Sequence, residues 1–181
     1  MTNDKILELI QDIRKLPKVI PLNKVDELCD RKLKTDEVIG YLQRLKKGSL
    51  PEPALRESFF AGKSLLREIL GELTPEATLT TGFVDYKIED EFGRIILLEL
   101  KSYYVASRDE LREEKLFWEN HKGQLFKYMS EKYRYVILTD LNEWHFFSNK
   151  QCLTEKKTEP FESISLDGFY KELKKEANLW D

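Results

Sequence analysis

The feature that most constrains the fold is a run of apolar residues, Ile95 to Leu98, that is followed at once by Glu99-Leu100-Lys101. Apolar residues without alternation suit a strand that is buried on both faces. Side chains two apart on a strand share a face, so Glu99 and Lys101 point to the same side of the predicted sheet. Burial followed directly by two charges is unusual in a strand that serves only packing, and this strand end is therefore a candidate functional site.

The residues before this run predict the other half of a β-hairpin. Phe83 to Ile88 has the composition of a strand, and Glu91-Phe92-Gly93 suits a three-residue hairpin loop. Gly93 would supply the positive φ that such a loop needs. The chain therefore contains a strand, a short turn and the buried strand in direct succession.

The register of this hairpin brings two carboxylates together. If Asp90 pairs with Arg94, counting back along both strands sets Asp85 opposite Glu99. Like charges in opposed positions, with Cβ atoms about 5 Å apart, destabilise a sheet. A divalent ion such as Mg²⁺ would remove that conflict, since carboxylate oxygens are its preferred ligands, and Lys101 beside it could orient or deprotonate a water and stabilise charge in a transition state. The alternative interpretation is that these are the solvated charges of an ordinary strand.

Composition limits the classes of function. A chain of 181 residues with 41% hydrophobic and 35% charged residues suits one globular domain with a core, and a net charge of −3 argues against a free-standing, non-specific nucleic-acid binder. Two cysteines and two histidines, without metal-ligand spacing, favour neither a zinc cluster nor a disulfide framework, so we expect a cytoplasmic protein. No signal peptide or membrane-spanning segment is indicated.

Residues 1–50 predict a helical N-terminal extension. Asn3 or Asp4 can cap a helix whose apolar residues recur at helical spacing up to Leu16, and Pro17 ends it. Two further helices are expected, one ending at Leu28 and one from Asp36 to Lys47. The basic end of the last one (Arg44, Lys46, Lys47) could contact DNA phosphates or a partner, or could be the solvated C-terminus of an ordinary helix.

The remaining elements predict a mixed sheet with helices on its faces. A helix over 54–70 carries an apolar stripe that includes Leu73, and Ser107-Arg108-Asp109-Glu110 has the capping-box pattern of a second helix reaching Glu131. The other predicted elements are a short strand over 78–81, strands Tyr133–Thr139 and Trp144–Ser148 joined by a turn, a polar loop over 150–160, and a final helix from Leu166 to Trp180. We assign the core to 51–150 and a C-terminal loop and helix to 151–181.

Several motifs in this order carry a resemblance. Asp85, the Glu99-x-Lys101 strand end, a helix with Gln124 and Tyr128 four residues apart, and the closing strands resemble the PD-(D/E)XK nuclease superfamily. More narrowly, the segments 123–129, 135–140 and 144–147 are similar to the amino-terminal nuclease domains of large single-chain restriction-modification enzymes and to type I restriction motor subunits. The resemblance covers about residues 52 to 148 and implies a restriction-endonuclease-like αβββαβ core. Val84 stands where the superfamily has its name-giving proline.

The resemblance also implies roles for individual residues. Asp85, Glu99 and the backbone carbonyl of Leu100 would bind Mg²⁺, or Mn²⁺ as a substitute, and Lys101 would position the attacking water. Other implied roles are support of the lysine or water network by Gln124 and contact with the DNA path by Lys127 and Tyr128. An acidic residue of the first core helix would assist, and either Glu52 with Arg56 or Glu57 could take that place.

The expected activity is Mg²⁺-dependent endonucleolytic hydrolysis of double-stranded DNA. Sequence recognition would lie elsewhere, in methyltransferase, target-recognition or helicase domains of a larger chain or complex, since no base-reading motif occurs here. Double-strand cleavage would need two such sites, which makes a transient dimer plausible. Two alternatives stay open: a catalytically inactive nuclease-like module for docking or DNA binding, and a stand-alone repair or junction-resolving nuclease of the same fold.

Overall fold

The computed structural model of the chain describes residues 5–16, 56, 60, 65–79, 82–90, 92–101, 104–107, 110–113, 116–129 and 133–166. Four α-helices lie within these ranges: α1 (Lys5–Lys15), α2 (Leu65–Leu70), α3 (Lys122–Tyr128) and α4 (Asn149–Leu153). A 3-10 turn, Trp118–His121, precedes α3. The strands are β1 (Leu73–Leu79), β2 (Gly82–Glu89), β3 (Ile95–Leu100), β4 (Tyr104–Ser107), β5 (Glu110–Glu113), β6 (Tyr133–Thr139), β7 (Glu143–Ser148) and β8 (Glu162–Ser165).

Six of the strands form one mixed sheet in the order β1-β2-β3-β6-β7-β8. β3 and β6 run parallel, and the other neighbours are antiparallel. Every residue of β3 is buried, because this strand lies inside the sheet and apolar clusters cover both of its faces. The predicted mixed sheet with flanking helices is confirmed, and so is the burial of the run that begins at Ile95.

The β2–β3 hairpin has the register that the sequence predicts. The amide of Asp90 donates to the carbonyl of Arg94 at 3.1 Å, and Gly93 has a φ of 71°. Tyr86 pairs with Leu98, so one further step in the same register leads to Asp85 and Glu99. The turn therefore fixes where the two carboxylates lie relative to each other.

Helices pack against each face of the sheet. The predicted first helix is confirmed as α1, and its apolar residues Ile6, Leu9, Ile10 and Ile13 belong to the same buried cluster as Leu98. The opposite cluster contains Leu97 and, from α3, Leu125 and Tyr128. Side chains alternate along β3, so Glu99 lies on the same face as Leu97, the face that α3 covers.

The segment after Lys101 corrects the sequence prediction. Ser107-Arg108-Asp109-Glu110 does not open a helix, because β4 and β5 form a two-stranded ladder in which Ser107 pairs with Glu110. Only two residues separate that pair, and a Ser-x-x-Glu pattern is as compatible with a two-residue hairpin as with a capping box. Helix α3 begins at Lys122 and ends at Tyr128, three residues before the predicted end.

Two other boundaries differ from the prediction. Leu73 begins β1 and does not extend the helical stripe, because Gly71, with a φ of 81°, ends α2 and its amide donates to the carbonyl of Arg67. β1 contains Pro75, which is tolerated because β1 is an edge strand, where a missing amide costs no ladder hydrogen bond. The predicted loop over 150–160 contains the end of α4, and β8 was not predicted.

Several predictions fall on residues that the structure does not describe. These are the two later N-terminal helices with the basic end at 44–47, the start of the helix over 54–70, and the final helix beyond Leu166. Leu166 itself is buried, and its amide donates to the carbonyl of Asn142 at 2.7 Å. Within the described part of the chain, none of the helices combines the length and the apolar character that crossing a membrane requires.

Candidate active site

A cleft of about 510 Å³ opens at the carboxyl end of β3. The end of this strand is anchored to β6, because the amide of Lys101 donates to the carbonyl of Thr139 at 2.8 Å. The cleft therefore lies where the buried strand gives way to charge. Its lining residues are Arg56, Phe83, Val84, Asp85, Glu99, Lys101 and Gln124.

Asp85 lies at the base of this cleft, and its side chain is held from two sides. The residue is 7% exposed. Its Oδ2 accepts a hydrogen bond from the amide of Leu100 at 2.7 Å, which joins β2 to β3 through a side chain at this point. Its Oδ1 forms an ion pair with the guanidinium of Arg56. Both carboxylate oxygens of Asp85 thus have a defined donor.

Glu99 is the more deeply buried carboxylate, at 4% exposed. Its Oε1 accepts from Lys101 Nζ at 2.5 Å and from Gln124 Nε2 at 2.5 Å. Its Oε2 lies 3.0 Å from the hydroxyl of Tyr128. Since Glu99 and Lys101 are two apart on one strand, they share a face as predicted, and α3 supplies the other two contacts.

Tyr128 joins the α3 side of the site to the sheet. Its hydroxyl accepts from Gln124 Nε2 at 2.8 Å and also lies 2.9 Å from the carbonyl oxygen of Phe83. The hydroxyl has a single proton, so it donates either to Phe83 or to Glu99 at any moment. Burial and then the charge of Glu99 raise the pKa of Tyr128 well above its ordinary value, so the phenol is neutral at physiological pH.

The two carboxylates line the same cleft, and a cation compensates the charge of each one. Arg56 pairs with Asp85, and Lys101 pairs with Glu99. All four side chains are at least partly buried, so each carboxylate gains a compensating charge where solvent screening is weak. The opposed carboxylates therefore do not by themselves require a metal.

The donor set does fit a hard divalent ion. Mg²⁺ prefers oxygen ligands, and the carboxylates of Asp85 and Glu99 line the cleft. The contact of Leu100 here is that of its amide, which donates to Asp85, so the predicted role of its carbonyl stays a prediction. Phosphate and water oxygens would complete such a shell. No group of three His, Cys, Asp or Glu residues comes together in the described ranges, which therefore offer two acidic ligands at this cleft.

Other predicted site residues have different positions. Gln124 lines the cleft and contacts Glu99 directly, and its predicted support of the lysine or water network stays a prediction. Tyr128, expected on the DNA path, is only 3% exposed, so its geometry supports positioning of Glu99 from below the cleft. Lys127 is exposed on α3 and does not line the cleft. Glu52 and Glu57, the candidate assisting acids, lie outside the described residues.

Arg56 is the residue whose role the sequence did not reveal. It lies 29 residues before Asp85, and neither periodicity nor register predicts that the two meet. The sequence placed Arg56 beside Glu52 only as a feature of the first core helix. A buried carboxylate near a strand end is a general reason to search for a cation, but it does not say which arginine supplies it.

Comparisons with known proteins return no relatives. No family model matches the chain, and neither a curated protein nor a solved structure is found to match it. Membership of the nuclease superfamily therefore stays a prediction from the residues quoted above.

Proposed function

We propose that this chain is a Mg²⁺-dependent endodeoxyribonuclease domain that hydrolyses phosphodiester bonds in DNA. One observation carries the proposal: Asp85, Glu99 and Lys101 line a single cleft at the end of a buried strand, and Gln124 contacts Glu99 in that cleft. A purely structural strand end has no need of two buried carboxylates on adjacent strands, each held by at least two donors.

The order of elements supports a restriction-endonuclease-like core. α2, β1, β2, β3, α3 and β6 follow one another as helix, three strands, helix and strand, with the β4–β5 hairpin inserted before α3. The crossover through α3 joins the parallel strands β3 and β6. In such a core the catalytic residues would lie on β2 and β3, which are the strands that carry Asp85 and Glu99.

The residues of the cleft suit phosphodiester hydrolysis. A bound metal would neutralise charge on the phosphate and lower the pKa of a coordinated water. Lys101 is within 2.5 Å of Glu99 and 20% exposed, so its ammonium can reach a water or phosphate oxygen while it stays oriented by the carboxylate. Gln124 contacts one oxygen of Glu99 and Tyr128 the other, which would reduce the reorganisation of this carboxylate when a metal binds.

We expect recognition of a target sequence to lie in other domains. With a net charge of −3, the chain would depend on such domains to hold DNA, and methyltransferase, target-recognition or helicase parts are the expected partners. Two copies would have to meet on DNA for double-strand cleavage.

The test uses the purified chain with supercoiled plasmid and Mg²⁺ or Mn²⁺. We expect nicked or linear product from the wild type, and none from Asp85→Ala or Lys101→Ala. Lys157→Ala is the matched control, because it removes an exposed lysine that is paired with Glu155 away from the cleft, and it should cut like the wild type.

Calorimetric titration with Mn²⁺ separates an active site from an inactive one. Metal binding that is lost in Glu99→Gln supports the proposal even where the isolated chain cuts slowly. Cleavage by Lys101→Ala at the wild-type rate would refute the assignment. So would a wild type that neither cuts DNA nor binds Mn²⁺.

A further inference from the structure

A second cleft, at the other end of the sheet, has a different chemical character. It has a volume of about 620 Å³, within the usual range for small-molecule sites. It lies where β3 and β6 begin and β7 ends, whereas the candidate active site lies where β3 ends. β3 has six residues, so roughly 17 Å of strand separates its two ends. The two clefts are therefore distinct sites.

The charge of this second cleft is positive. Arg94, Arg134 and Lys150 line it, and among the residues that the structure describes no carboxylate does. Asp90 offsets part of this charge from outside the lining, since its Oδ2 accepts from Arg94 Nε at 2.5 Å. That contact also orients the Arg94 guanidinium before any ligand arrives. Three cations around a concave surface favour a compact anion, and phosphate is the group that arginine and lysine bind best together.

Asn149 adds an acceptor to this cationic lining. It is 5% exposed, and its Nδ2 donates to the carbonyl of Tyr133 at 2.5 Å. Because a carbonyl can only accept, this contact fixes the orientation of the amide and leaves Oδ1 facing away from Tyr133. Oδ1 is buried and has no hydrogen-bond partner among the described residues. A buried acceptor without a donor is unfavourable, so a donor group on a ligand would be stabilised there.

The cleft also contains an apolar surface. Tyr135 and Leu153 line it, and Leu153 is 49% exposed. The Tyr135 ring packs against Phe161 and lies 5.8 Å from the guanidinium of Arg134. Ser148 contributes a hydroxyl that makes no capping hydrogen bond to α4. Cations, a lone acceptor and an aromatic wall together match a ligand that has a phosphate at one end and a ring with hydroxyl or amino groups at the other.

We propose that this second cleft binds a nucleotide, with Arg94, Arg134 and Lys150 around its phosphates and a hydroxyl or amino group donating to Asn149. The site is independent of the proposed nuclease activity, and its occupation does not require the cleft at Asp85. Free phosphate compounds share part of this chemistry, so the probes must separate the phosphate from the rest of the nucleotide.

The experiment compares ADP with inorganic pyrophosphate by calorimetry on the full chain without metal. We expect ADP to bind at least about tenfold more tightly than pyrophosphate, since only ADP can supply a donor to Asn149 and contact Tyr135. The double variant Arg134→Ala, Lys150→Ala should lose about tenfold or more in ADP affinity. Both side chains are exposed, so the variant should fold.

Matched controls keep the result specific. Lys15→Ala with Lys157→Ala removes the same total charge from exposed lysines outside this cleft and should leave ADP affinity unchanged. Equal affinities for ADP and pyrophosphate would overturn the nucleotide assignment. Failure of ADP to bind, or equal loss of affinity in the control variant, would overturn the site itself. Asp85→Ala should bind ADP like the wild type, so failure of the nuclease proposal would be seen separately.

Discussion

Asp140 offers the sharpest test of the electrostatics of the fold. It follows β6 directly and is fully buried. Its Oδ1 accepts from the amides of Asn142 at 2.9 Å and Glu143 at 2.6 Å, while its Oδ2 has no partner in the part of the chain that the structure describes. Burial raises the pKa of Asp140 from 3.8 to about 7, because the two amide donors only partly offset the loss of solvent. The perturbation is Asp140→Asn, which cannot ionise.

The direction in which stability changes with pH follows from the number of protons bound by the folded and the unfolded chain. Between pH 3.8 and about 7 the unfolded chain has lost the proton of Asp140 while the folded chain retains it. The folded state therefore binds more protons, and the free energy of unfolding falls as pH rises through this interval. At about 1.4 kcal/mol per pKa unit, the full effect is about 4 kcal/mol, and roughly 2.5 kcal/mol of it falls between about pH 5 and about pH 8.

Urea unfolding at several pH values measures this effect as a difference between wild type and variant. Asp140→Asn places a buried amide nitrogen without an evident acceptor at the Oδ2 position, a constant penalty of about 1–3 kcal/mol. We expect the variant's stability relative to the wild type to improve by roughly 2–3 kcal/mol from about pH 5 to about pH 8, since only the wild type pays the ionisation cost.

Asp90→Asn is the matched control for this experiment. Burial alone would raise the pKa of Asp90, but hydrogen bonds from the backbone and side chain of Arg94 and from the amide of Phe92 lower it overall. Asp90 is therefore ionised throughout the same pH range, and the variant should lose a constant amount of stability. A difference between Asp140→Asn and wild type that stays constant with pH would refute the reasoning about Asp140.

Three further predictions concern the candidate site and its hairpin. Arg56→Ala should lower the Tm measured without metal, because it leaves Asp85 as a buried charge without its ion pair. Mn²⁺ should raise the Tm more in this variant than in the wild type, and an equal rise in both would contradict competition between Arg56 and the metal. Tyr128→Phe should destabilise the fold by about 1–3 kcal/mol in urea unfolding and weaken Mn²⁺ binding about tenfold in calorimetry, and unchanged metal affinity would exclude a positioning role. Gly93→Ala should reduce the free energy of unfolding by about 1–2 kcal/mol, because an alanine at this positive φ is strained. Steric overlap adds nothing to this cost, since the new Cβ would lie at an ordinary 3.7 Å from Glu89. An unchanged free energy of unfolding would refute the prediction.

The sequence predicts those parts of the fold that depend on local signals. An apolar run without alternation identified β3, a glycine loop set the β2–β3 register, and helical periodicity found α1. The predictions failed where one short pattern serves two structures. The pattern from Ser107 to Glu110 is compatible with a capping box and with a hairpin, and only the pairing of β4 with β5 decides between them.

Local sequence signals likewise predict some contacts of the candidate site and miss others. Glu99 and Lys101 are two apart on one strand, and Gln124 and Tyr128 are four apart on one helix, so strand and helix geometry bring each pair together. The approach of α3 to the sheet, which joins those pairs, follows from packing of apolar residues and was suggested only by resemblance. Arg56 could not be found, because its contact depends on tertiary placement of a separate segment.

The two cations of the cleft differ in how they are held, and this difference indicates how the site would accept a metal. Lys101 lies at the end of β3, where its amide donates to Thr139, and its ammonium pairs with Glu99 two residues away on the same strand. Arg56 reaches Asp85 from outside the sheet through the end of a long side chain, and that contact can break while every strand hydrogen bond is retained. A divalent ion would gain the Oδ1 position of Asp85 by replacing one positive charge with a larger one, which keeps the buried carboxylate compensated throughout. Exchange of Arg56 for a metal would therefore be the smallest rearrangement at the Asp85 side of this cleft, and it would leave the pair of Lys101 and Glu99 in place.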